Sequence, residues 1–111
     1  MDNPVLFSQI LKKLNITWSD TETNARVEEI IDGAIPDLIH RLGITDENFD
    51  FSVPGAENTL FKNYCLYEWN HSLNEFFDNY AESIAQIRTK NEVAQFLESE
   101  EDNAETEIQP I

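Results

Sequence analysis

"VEEIIDGAIPDLIHRLG", residues 27–43, carries Val27, Ile30, Ile31, Ala34, Ile35, Leu38, Ile39 and Leu42 at spacings of three and four. That period lays these side chains on one broad face of a helix. Gly43 stands where such a helix stops. Pro36, inside the run, cannot donate to the carbonyl of Asp32, so a kink is predicted there with the apolar phase continuing across it. Upstream, Ser19 and Glu22 have capping-box spacing, and Asp20 or Thr21 are alternative caps.

On either side the same period recurs. Asn3 can cap, Pro4 suits a first helical position, and Leu6, Ile10 and Leu14 recur at fours, which predicts a helix over 4–14 that ends in Lys12 and Lys13. From Glu57, a stripe of Phe61, Cys65, Trp69, Leu73, Phe77 and Tyr80, flanked by Leu60, Tyr64 and Tyr67, predicts a central helix touched on more than one side. Polar residues from Asn74 to Asn79 interrupt it. Tyr80, Ile84, Ile87, Ala94 and Leu97 then mark a further helix ending near Ser99, with one long bent helix as the alternative. Between the second and third helices, "ITDENFDFSVPGAE" has no helical phase and contains the Pro54-Gly55 turn pair. The fold class is therefore all-α, a small bundle of about four helices with a long middle loop. Residues 1–99 form one domain. Residues 100–111 read as an acidic, extended C-terminal tail, flexible unless bound to a partner.

Composition narrows the function. At 111 residues with 41% hydrophobic residues, the chain can bury a modest core without disulfides or a metal. Three glycines and four prolines favour long regular elements. With 22 acidic against seven basic residues the formal charge is −15, a surface that repels phosphate backbones. The one cysteine permits no internal disulfide. The N-terminal "MDNPVLFSQILKKLN" lacks a signal-peptide pattern and no run of 18 apolar residues occurs, so a protein used in solution, with no membrane partner, is expected.

Candidate chemistry is sparse. His40 and His71 stand apart from each other and from Cys65 at short helical spacing, and Cys65 lies on the aromatic stripe, where a thiol is a small hydrophobe. Asp46, Glu47 and Asp50 lack the alternating ligands and central glycine of a calcium loop. Glycine-rich phosphate loops, G-x-S-x-G elbows and Cys-x-x-Cys pairs do not occur. No enzyme, cofactor or metal is expected. The aromatic cluster Trp69, Phe76, Phe77 and Tyr80 reads either as a core corner or as a subunit interface. Both can hold at once, because neighbours on a helix diverge by about 100°.

The order of a short first helix, "ITWSDTETNARVEEIIDGAIPDLIHRLG", a loop, and "LFKNYCLYEWNHSLNEFFDNYAESIAQIR" resembles the small head-to-tail connector, or head-completion adaptor, proteins of long-tailed bacteriophages. The acid-and-threonine stretch before the second helix, its closing "LG", and "F-x-x-N-Y-x-x-S-I-x-x-I-R" carry the resemblance over about residues 5–90. Pro36 departs from it. The resemblance implies a helical protein that forms a ring of about twelve copies beneath the portal protein and extends the DNA channel, DNA passing without specific binding. A downstream head-completion or tail-terminator protein would be the other partner, and the location the virion neck, after host cytoplasm during assembly. An acidic DNA mimic that blocks a nucleic-acid-binding enzyme is the alternative suggested by the charge.

Expected core residues are Ile31, Leu38, Phe61, Trp69, Leu73, Phe77, Tyr80 and Ile84. Interface candidates are Phe49 and Phe51 in the loop, Phe76 as the outward member of its pair, Arg88, and Ile108 and Ile111 in the tail.

Overall fold

The first two helices start at side-chain caps. The Asn3 side chain accepts from the Leu6 amide, with Pro4 at the first helical position, and starts α1 (Pro4–Lys13). Asp20, one of the alternative caps, starts α2 (Thr21–Arg41) by accepting from the Thr23 amide at 2.7 Å and the Thr23 hydroxyl at 2.9 Å. The chain continues as α3 (Ala56–Trp69), α4 (Leu73–Asn79) and α5 (Ala81–Ile108). The computed structural model describes residues 3–108, with side chains over 3–100. Among these residues there are five α-helices and no strand.

Three helices end alike. Asn15, Gly43 and His71 have φ of 59°, 66° and 58°, and the following amides of Ile16, Ile44 and Ser72 reach back to the carbonyls of Leu11, Ile39 and Tyr67. This is the Schellman closure, in which one left-handed residue lets two amides satisfy the last carbonyls. Gly43 was foreseen as a stop. His71 was not, and it splits the expected long third helix in two, raising the helix count from four to five.

α2 runs unbroken through Pro36, which is exposed. The Asp32 carbonyl gives up its helical donor there on the exposed side of the helix, open to solvent. At the other end of the chain, α5 passes the expected stop at Ser99 and carries the acidic residues 100–108 as helix, not as an extended tail. Four glutamates and Ala104 in this stretch are good helix formers, so a helix already started continues through it. The final three residues lie outside the described part.

The core is built where α1, α2 and α3 meet. Leu6, Ile10, Val27, Ile31, Ala34, Leu38, Leu42, Phe61 and Cys65 are fully buried within it. Of the expected core, Ile31, Leu38 and Phe61 are buried, whereas Trp69, Leu73, Phe77, Tyr80 and Ile84 pack half-buried at its margin.

Two interface expectations are overturned. Phe51 is 1% exposed and stacks on Phe61 with centroids 4.8 Å apart; Phe76 is 0% exposed and stacks on Tyr80 at 4.9 Å. The middle loop is pinned to the body at Phe51, Ser52 and Asp50. Asn58 donates to the Phe51 carbonyl and to Gln9 Oε1, Gln9 donates to the Ser52 carbonyl, and Asn3 donates to Asp50. Phe76 turns inward because the bend at His71 resets the helical phase, so the register of α3 does not carry into α4.

Candidate assembly surface

The C-terminus of α2 exposes carbonyls that need partners. α5 supplies them. Arg88 donates to the His40 carbonyl at 3.4 Å, Asn91 to the Leu42 carbonyl at 2.7 Å, and Gln95 to the Gly43 carbonyl at 2.9 Å. Ile84 and Ile87 pack against the core from the same side of α5. Counted at about 100° per residue, Val93, Phe96 and Leu97 fall on the opposite side. They are 49%, 62% and 59% exposed, and Glu92 and Glu100 beside them are exposed as well. The protein is drawn out to 67 × 30 × 19 Å, in keeping with a 28-residue helix of about 42 Å.

None of these three apolar residues was among the interface candidates. The signal was present: 93, 96 and 97 have i, i+3, i+4 spacing, out of phase with Tyr80, Ile84 and Ile87. Grouping Ala94 and Leu97 with Ile84 and Ile87 hid it, and both are exposed.

A second surface lies where α2 meets the start of α5. His40, Arg41, Phe77, Ala81, Ile84, Ala85 and Arg88 line an open hollow of about 470 Å³. The Arg41 guanidinium sits 3.8 Å over the Phe77 ring, and its Nε donates to Asp37 at 2.9 Å. The other Asp37 oxygen accepts from the Tyr64 hydroxyl at 2.7 Å. Burial first, and then that carboxylate, push the Tyr64 phenol well above its ordinary pKa. Arg88, an expected interface residue, is exposed in this hollow and pairs with Glu92 at 2.7 Å.

At the far end of α3, Arg26 lies 4.2 Å over Trp69, donates to the Trp69 carbonyl at 2.7 Å, and has His71 Nε2 within 3.3 Å. A cation on the final carbonyls of a helix complements the helix dipole. The other sequence candidates are dispersed. Phe49 is half-buried, edge-on to Phe51 at 4.9 Å; the Ile108 side chain and all of Ile111 lie outside the described residues. Cys65 is buried, and its burial raises the thiol pKa, as for an inert core side chain. Among the described residues, no group of three or more His, Cys, Asp or Glu side chains is placed to hold a metal ion.

Comparison with protein-family models, curated proteins and solved structures finds no match for this chain.

Proposed function

We propose that this chain is a structural head-to-tail connector of a long-tailed bacteriophage. In this reading it forms a ring under the portal, extends the DNA channel and presents the platform for tail attachment. The observation that carries the proposal is the exposed Val93, Phe96 and Leu97 stripe on a helix whose other side is clamped to the body. A contiguous apolar stripe rimmed by carboxylates is a surface of the kind that another protein covers. The order of helices over residues 5–90 supplies the class of assembly.

The charge suits both tasks. An acidic channel wall lets DNA slide without binding, and mutual repulsion of copies at −15 opposes assembly before the portal is present. Salt screens that repulsion over about 10 Å at 0.1 M.

Electron microscopy of the purified protein, alone and with its portal protein, tests this. Rings on the portal are the expected result. A chain that stays monomeric and fails to bind the portal at any salt concentration overturns it, and competition with DNA for a basic enzyme would point to DNA mimicry instead.

A further inference from the structure

We infer that the Val93, Phe96 and Leu97 stripe of one copy docks into the hollow between α2 and the start of α5 of a second copy. The inference deepens the ring reading above and rests on it.

Both halves of the contact are present in one chain and cannot meet there. The stripe and the Ala81, Ile84 and Ala85 wall of the hollow belong to the same helix, α5. Leu97 is nine positions beyond Arg88, about 13 Å along the axis, and faces away from the body. Only another molecule can bring the two together.

Charge selects the occupant. On a chain with 22 acids against seven bases, the hollow is lined by Arg41, Arg88 and His40 with Phe77, Ala81, Ile84 and Ala85, and by no carboxylate. Arg41 meets Asp37 and Arg88 meets Glu92, both through Nε. A guanidinium has five N–H donors, so each arginine keeps donors for an incoming carboxylate. The stripe brings an apolar centre flanked by Glu92 and Glu100. An acidic amphipathic helix laid in an apolar groove edged by arginines satisfies both surfaces.

The contact joins unlike patches: passed from copy to copy it closes into a ring or grows into a filament, and reciprocated within one pair it makes a two-fold dimer. The first arrangement is the one a connector ring requires, and a ladder from the double variant distinguishes it from the second.

Site-directed cross-linking tests the contact, with Cys65 buried and out of reach of oxidant. L97C and A85C are made singly and mixed under mild oxidation in 0.3 M salt. A disulfide dimer in the mixture but in neither single variant is the expected result, and the double variant should give a ladder. L97C cross-linking to itself would show a symmetric stripe-to-stripe contact and overturn the inference.

Sedimentation of F96D gives the second readout. Phe96 is 62% exposed, so the fold should survive, checked by an unchanged melting curve. Self-association should weaken at least about tenfold, the effect of removing one anchoring aromatic. Association undiminished in F96D places the contact elsewhere and overturns the inference while leaving the ring reading intact. A wild-type chain that never self-associates, alone or on the portal, overturns both; one that binds the portal as single copies overturns the ring alone as well as this contact, but not portal binding.

Discussion

The Asn91 side chain donates to the Leu42 carbonyl at 2.7 Å, joining the middle of α5 to the C-cap residue of α2. Asn91 is half-buried, and Leu42 is fully buried. With Arg88 and Gln95 it determines which side of α5 faces the body.

Replacing Asn91 by alanine leaves that carbonyl without its donor. A loss of about 1 kcal/mol is expected, rising toward 3 if water cannot reach the oxygen. Urea denaturation measures it. Faster hydrogen exchange should be confined to α5, because the core of α1, α2 and α3 makes no use of this contact.

Phe51 separates a core role from an interface role. Phe51→Ala removes a ring stacked on Phe61 and should cost about 3–5 kcal/mol in the isolated protein. Val53→Ala, two residues away and 60% exposed, should change stability by less than about 0.5 kcal/mol. Equal effects of the two substitutions on the unfolding midpoint would refute the pinned loop.

His71 holds a left-handed conformation at φ 58°. Glycine adopts it freely, so His71→Gly should stay within about 1 kcal/mol of wild type, the lost Arg26 contact included. A β-branched residue cannot, and His71→Ile should lose about 1–2 kcal/mol. Thermal melts of the pair show whether the turn between α3 and α4 is as tight as described.

Acid pH acts on two carboxylates. The Thr23 amide and then its hydroxyl hold Asp20 below its ordinary value of 3.8; the Ser52 hydroxyl, the Ser52 amide and the Asn3 side chain do the same for Asp50. A depressed folded pKa stabilises the fold above the unfolded value and loses that effect as pH falls through the folded one. Neither group should alter stability between pH 7 and 5. Carboxyl NMR titration should give both midpoints under 3.8, with the start of α2 and the 50–52 turn loosening below them.

Removing residues 100–111 should leave the melting temperature nearly unchanged. The helical signal in circular dichroism should fall by no more than the missing turns of α5 account for. On the connector reading proposed above, portal attachment should weaken. A collapse of helicity throughout the chain would mean that the distal part of α5 supports the body.

What the sequence determined by itself is local. The apolar period of residues 27–42, the Asn3 cap with Pro4, and the stop at Gly43 depend on neighbours within one or two turns, and they made the all-α class legible. The tertiary structure alone decided phase and direction. His71 entered a left-handed turn that histidine tolerates but that a helical period does not reveal, and this rotated Phe76 into the core. Phe51 was drawn from a loop with no periodicity because Asn58 and Gln9, on two helices, hold the loop backbone over Phe61. Val93, Phe96 and Leu97 became a surface only when Arg88, Asn91 and Gln95 gripped the end of α2 and turned the opposite side of α5 outward. A helical period says that a face is apolar; which faces are covered depends on contacts between residues more than forty positions apart.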